Sequence, residues 1–401
     1  MLIIEGTSAH SWENGKWVIH CPNGRNFMVN ELTYRLYNVL INAPTYEVAS
    51  ADFNAEFKSQ VNVTQFKDYV SQIIGGYNIL QDDFDVKRPS VLNNYLKLKV
   101  QLLNANVAGF IAQPLSHFYS PKYFWKILIG LVIFLACMFY AVPLKIAVDP
   151  AIISPASLAL LPVLFYANMP IHEFGHIAAC RNSGLKHGGV GFGFYFIMPV
   201  MYADITNIWL ANKERRIIAN MGGIFSELLY ASVLVIIYLL TQNPIFYIAG
   251  LSIALFVVFE LNPFVRFDGY WILSDLTNTP NLLQKSKTVL TKTFNNLWHK
   301  QTKPFNIKEV WLLLYGTINT ALLFLFMGYM AYSHRIEIAA FPATIYGIIS
   351  NWLNQNWDIS QINRQLLIVL TFYVLVFRLS SQYLIKAFRS WRKRATPETT
   401  G

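Results

Sequence analysis

From about residue 124 onward, apolar residues run in long blocks separated by short polar stretches; before it they recur in shorter, periodic patterns. Six blocks reach or approach the roughly 20 residues that a helix needs to cross a bilayer. They lie at about 124–146, 155–178, 217–241, 246–262, 309–333 and 364–385. A 16-residue block, 338–353, reads as interfacial or re-entrant, because a seventh crossing would move the basic C-terminal tail to the other side. In the N-terminal part, "KWVIHCP", a turn at "NGRN" and "FMV" predict a hairpin. Three helical patterns follow. Leu32, Leu36, Val39 and Leu40 share one face of the first, "ADFNAEFKSQV" forms the second, and Phe66, Tyr69, Val70, Ile73 and Ile74 line the third before a Gly75-Gly76 stop. "YLKLKVQLL" alternates apolar and polar residues as a strand does, and is expected to pack at the cytosolic membrane surface. The fold class expected is mainly α: a polytopic membrane protein with about six transmembrane helices and a small N-terminal α+β, winged-helix-like cytosolic domain.

Composition agrees with that pattern. Of 401 residues, 54% are hydrophobic and 13% charged. The net charge of +10 could point to nucleic acid, so the placement of each cation matters. Arg181, Lys186, Lys213, Arg215 and Arg216 follow the second block, and Arg266, Lys285, Lys287, Lys292, Lys300, Lys303 and Lys308 follow the fourth. Lys386, Arg389, Arg392, Lys393 and Arg394 crowd the tail, while the alternate loops carry few. That asymmetry is the positive-inside pattern, with both termini cytoplasmic in a multi-pass cell-membrane protein. The first 85 residues carry only Lys16, Arg25, Arg35, Lys58 and Lys67 as basic groups, too sparse to read phosphates, and no nucleic-acid partner is expected. The start, "MLIIEGTSAHSWENGKW", lacks the basic-then-apolar pattern of a signal peptide. Cys21, Cys137 and Cys180 are odd in number and far apart, so no disulfide framework is implied.

The chemistry concentrates at "NMPIHEFGHIAAC", the polar end of the second block. Residues four apart share a helix face about 6 Å apart along the axis, so His172 and His176 can reach one ion. Two imidazoles at that spacing suit Zn2+, and Glu173 is placed to act as the general base on a water rather than as a ligand. Ionisable groups in an apolar helix are costly unless they serve a function. A catalytic zinc takes a third protein ligand and keeps one open position. "FELNPFVRFDGYWILSDL" closes the fourth block, and by the charge count it ends on the same side of the membrane as the histidines, which makes Asp268 the third ligand expected.

Together, "HEFGH" and "NPFVRFDG" resemble the paired motifs of the site-2 protease family of intramembrane zinc metalloproteases, over about residues 124–285. The resemblance implies His172, His176 and Asp268 as metal ligands, Glu173 as the catalytic residue, and Asn262 as a substrate-binding residue that holds the scissile carbonyl or its oxyanion. It also implies that "GVGFGFYFIMPVMYADITNIW" is a membrane-associated hairpin and "ERRIIANMGGIFSELLYA" the third core span. "GGIFSE" departs from the family: Glu227 puts a carboxylate where many members have none, and no chemistry is assigned to it. Asp204 reads as a turn or strand anchor. The N-terminal domain resembles the PqqD-like peptide-recognition element.

The expected organisation is therefore a peptide-recognition domain at 1–85, a membrane-surface linker at 86–123, the protease core at 124–285, and C-terminal helices with a basic tail at 286–401. The expected partners are the bilayer, a membrane-associated peptide or protein substrate, and an ABC-type peptide exporter. The expected function is hydrolysis of a peptide bond in such a substrate, in bacteriocin-like peptide maturation or in regulated intramembrane proteolysis. The competing reading is a non-proteolytic membrane component of a peptide export or immunity system, with zinc in a structural role.

Overall fold

A computed structural model describes residues 2–12, 15–22, 26–77, 79–81, 96–142, 153–195, 198–299, 306–354 and 364–395. The expected turn at 23–25, the linker stretch 86–95, the end of the first apolar block at 143–146, Lys145, Asp149, Lys300, Lys303 and residues 396–401 lie outside the described residues. The chain divides into two compact units, Met1–Pro280 and Asn281–Gly401.

The first unit opens with three antiparallel strands, β1 (Ser8–Trp12), β2 (Lys16–His20) and β3 (Asn26–Asn30), in the order β1-β2-β3. The sequence pattern predicts β2 and β3; β1, "SAHSW", is too polar to announce itself. Helices α1 (Glu31–Asn42), α2 (Tyr46–Phe57) and α3 (Val63–Ile73) follow. Asn30 caps α1 by accepting the Thr33 N–H, and Asn62 with Gln65 forms a capping box on α3. Ile3, Ile19, Leu36, Leu40, Phe66, Val70 and Ile74 make the core. Leu32, expected on that apolar face, is instead 44% exposed: it sits in the first turn of the helix, beside the cap.

Strand β4 (Leu96–Leu103) leads into α4 (Ala105–Ala112), α5 (Pro121–Ala141) and α6 (Pro155–Asn182). Next come β5 (Val190–Tyr195), β6 (Met198–Ala203), α7 (Lys213–Asn220), α8 (Gly222–Thr241), α9 (Pro244–Glu260) and α10 (Asp268–Leu276). The strands form one antiparallel sheet in the order β4-β5-β6, so the isolated strand and the hairpin expected from sequence are parts of a single element. Register shifts along β4, with Leu98 at φ 50°, mark an irregularity that bends the strand. The apolar side chains of Leu98, Val100 and Leu102 stay exposed along it.

Helix α8 is the centre of this unit, buried along most of its length against α5, α6 and α9. It meets α6 backbone to backbone: a Cβ on Gly175 would come within 2.2 Å of the Gly222 carbonyl oxygen. Small residues at a crossing allow this close approach between membrane helices. The Tyr119 hydroxyl locks the crossing, donating to the Gly222 carbonyl at 3.0 Å and pairing with Ser226 Oγ at 2.6 Å.

The second unit holds α11 (Leu282–Trp298), α12 (Ile307–Ser333), α13 (Arg335–Leu353) and α14 (Arg364–Ala395). Asn306 and Glu309 form a capping box at the start of α12. Tyr373 of α14 stacks on Phe341 and donates to the Ile338 carbonyl at 3.0 Å, tying α14 to α13.

Among the described residues, four helices are long and apolar enough to cross a membrane: α5, α8, α12 and α13. The six-span expectation is not reproduced at that strength. α6 carries the polar site residues, and α9 at 17 residues and the apolar stretch of α14 fall just short in length. The 338–353 block, expected to be interfacial or re-entrant, lies within the continuous 19-residue helix Arg335–Leu353, which is long and apolar enough to cross a membrane despite Pro342.

Candidate metal centre

Asn168, His172 and His176 recur every four residues on α6 and so share one face. Pro170 interrupts the hydrogen-bond ladder beside them and frees the Tyr166 carbonyl. That face lies on the glycine pair of α8. Gly223 is required there, since a Cβ would sit 2.3 Å from the His172 ring.

Helix α9 ends at Glu260, and the chain turns through Asn262–Phe267 into α10, whose first residue is Asp268. The Asp-Gly pair is explained by packing: a Cβ on Gly269 would lie 2.1 Å from the Leu261 carbonyl. Asp268 is thereby folded back onto α6.

Three ligand atoms converge. His172 Nε2 and His176 Nε2 are 3.1 Å apart, and Asp268 Oδ2 lies 3.4 Å from the first and 3.3 Å from the second. A tetrahedral zinc with bonds near 2.0–2.1 Å separates its ligands by about 3.3–3.4 Å, so the triangle has the required size. The donor chemistry also calls for a cation. His176 Nδ1 donates to the Ala219 carbonyl at 2.8 Å, which leaves the Nε2 lone pair facing the other imidazole. Asp268 Oδ2, the third corner, is buried and, among the described residues, has no hydrogen-bond donor. An orphaned buried acceptor at the corner of a ligand triangle is the signature of a site built for an ion.

Glu173 is buried beside this triangle, near the backbone of Ala203 at the end of β6. It is not one of the converging ligand atoms. Asn262 lies in the turn before α10, where its Oδ1 accepts the Phe264 N–H at 2.9 Å and its Nδ2 remains as the donor end. Asp204 accepts from the Thr206 hydroxyl at 2.6 Å and the Thr206 N–H at 3.2 Å, which makes it a turn anchor.

Helix α7 braces the centre. Its Ala219 carbonyl orients His176, and its Arg216 pairs with Asp275 of α10 at 2.7 Å, helped by Asn220 at 2.7 Å. Asp275 is two turns along the helix that begins at Asp268. The guanidinium of Arg216 in turn lies 3.6 Å from the ring centre of Trp12, which also stacks on Trp209 at 6.0 Å. Asn26 Nδ2 donates to the Thr206 carbonyl at 3.2 Å, a second contact from the N-terminal sheet.

Sequence reasoning gives no role to Asn168, Glu227 or Glu260, yet all three gather on the far side of His172. Its Nδ1 lies 3.3 Å from Glu227 and 3.4 Å from Glu260, and Asn168 Nδ2 donates to Glu227. The signal was a carboxylate within an apolar helix at each of two places.

No protein-family profile and no solved structure matches the chain. It is similar to the "Putative peptide zinc metalloprotease protein YydH" of Bacillus subtilis (strain 168), with 23% identity over 157 residues. The match covers 38% of this chain and 62% of the relative, less than two thirds of that protein's length. The similarity supports a zinc metalloprotease relationship, and the four long apolar helices suggest a membrane protein.

Proposed function

We propose that the chain is an intramembrane zinc metalloendopeptidase of the site-2 protease type, cutting a peptide bond in a membrane-associated or transmembrane peptide. The observation that carries this reading is the His172, His176 and Asp268 triangle, which has the edge lengths of a tetrahedral zinc site and Glu173 beside it. Zinc held there would supply a Lewis acid for the scissile carbonyl and bring the pKa of a water near 7. Glu173 would accept a proton from the attacking water and return it to the leaving amine. Asn262 Nδ2, its orientation fixed by the turn that engages Oδ1, donates to the scissile carbonyl oxygen as charge develops.

Strand β6 is the outer strand of its sheet among the described residues and ends at Ala203, next to Glu173. An unwound substrate adding to that edge would run past the general base. The N-terminal domain is read as PqqD-like and as the element that recruits the peptide; maturation alongside an ABC-type exporter follows from that reading. A structural zinc site would present four protein ligands, and the triangle offers three among the described residues.

The test is purified full-length chain in detergent with a panel of candidate membrane peptides. Wild type binds one zinc and cleaves; Glu173→Gln keeps the zinc and loses cleavage by about 10²–10⁴-fold; His172→Ala loses both. Cleavage that persists in Glu173→Gln refutes the proposal.

A further inference from the structure

His172 and His176 are held differently on the side away from the metal. His176 spends its Nδ1–H on a backbone carbonyl, Ala219. His172 Nδ1 faces two carboxylates, from different helices, at ion-pair distances of 3.3 Å and 3.4 Å, and among the described residues Nδ1, Glu227 Oε2 and Glu260 Oε2 are buried without an aligned hydrogen-bond partner. Glu227 is 1% exposed in the most buried helix of the unit. Asn168, at 3% exposed, pins it with an amide hydrogen. A buried carboxylate in such a helix is expensive and needs a partner that justifies it.

We infer that Glu227 and Glu260 are positioning residues for the metal centre: together they accept the Nδ1 proton of His172, which keeps its Nε2 unprotonated and aimed at Asp268 and His176. This rests on the reading of that triangle as a zinc site. A carboxylate behind a ligating imidazole fixes its tautomer and makes it a more basic ligand. The geometry adds a mechanical role. The ring of His172 belongs to α6, Glu227 to α8 and Glu260 to α9, so three helices agree on one ring plane. With Gly223 beneath the ring, rotation is blocked from that side as well.

A second cation within the cluster is the alternative. It would need His172 to lose its Nδ1 proton while Nε2 faces the first metal, and Asn168 already donates to Glu227 Oε1. The inference therefore requires one metal per chain.

The test uses full-length protein in detergent, with zinc affinity measured by competition against a chromophoric chelator, zinc content by mass spectrometry, and the visible absorption of the cobalt(II) form. The variants are Glu227→Gln, Glu260→Gln and the double substitution, each checked for folding without metal by thermal unfolding. Expected are one zinc per chain throughout, about 10–100-fold weaker binding in Glu227→Gln and in the double variant, and a shifted cobalt band at unchanged metal-free stability. If Glu227→Gln does not fold, Glu260→Gln is expected to show the weaker binding and the shifted cobalt band, and wild-type values in it overturn the inference. Wild-type affinity and an unchanged cobalt band in the double variant overturn the inference alone. Two zinc ions in wild type with one lost in the double variant overturn it in favour of a second metal site. A wild-type chain that binds no zinc removes both this inference and the proposed function.

Discussion

Gly223 lies directly against the imidazole of His172, so close that a Cβ would stand 2.3 Å from Cε1 and 2.4 Å from Nε2. Backbone of one helix and ring of another share a space that only glycine permits. Gly223→Ala is therefore expected to displace His172 and weaken zinc binding by at least about tenfold, close to the 10–100-fold that lost support of a ligand costs. Gly130→Ala, where nothing lies within 4 Å, is the control and leaves affinity unchanged. Chelator competition distinguishes the two; equal affinities would refute the packing argument.

Asn262 offers a clean separation of turn from chemistry. Asn262→Asp keeps an acceptor for the Phe264 N–H and removes the Nδ2 donor, whereas Asn262→Ala removes both. Both variants are expected to retain zinc and to lose about 10²–10³-fold in kcat, the usual effect of deleting a donor to a developing oxyanion. Wild-type kcat in the aspartate variant would limit Asn262 to a turn-forming role.

The Arg216–Asp275 pair is buried at both ends, with Arg216 2% and Asp275 8% exposed. Removing one partner strands a charge, so Arg216→Met or Asp275→Leu alone should each cost about 3–5 kcal/mol. The double replacement should recover much of it, because a buried pair is often no more stable than a well-packed apolar one. Thermal unfolding of the four proteins in one detergent measures the cycle; additive losses would show that the two side chains do not act as a pair.

Metal should stabilise the fold as well as serve chemistry. Free zinc at 100 times its Kd adds about 2.7 kcal/mol through mass action, provided that the unfolded chain does not bind it. A rise in unfolding temperature on adding zinc to chelator-stripped protein, absent in His176→Ala, is the expected outcome. An equal rise in that variant would place the stabilising ion elsewhere.

The convergence of His172, His176 and Asp268 is more legible in the sequence than the architecture around it. His172 and His176 announce themselves by spacing on one helix, and Asp268 by where its block ends relative to the charges. The partners of His172 do not, because Glu227 and Glu260 meet its ring only through a helix crossing set by Gly175 and Gly222. Similarly, Leu96 to Leu103 alternates visibly as a strand, while its pairing with β5, nearly a hundred residues on, is a tertiary fact that no local pattern encodes. For the 338–353 block the placement of charge argues which side of a membrane the tail prefers, and the helix Arg335–Leu353 has the length and apolarity of a span, so the two signals pull in different directions. Leu32 shows the same limit on a smaller scale, since periodicity predicts a face and packing decides how far it extends.

Trp12 gives the N-terminal sheet a handle on the reaction centre. Its indole rests on the cation that fastens the Asp268 helix, and that cation stands one turn before Ala219, which steadies His176. A displacement of β1 would thus be felt by His176 and Asp268, two of the three converging side chains, without contact with either. Cutting away the amino-terminal module is consequently expected to weaken zinc binding, and an unchanged affinity in the truncated chain would break the link.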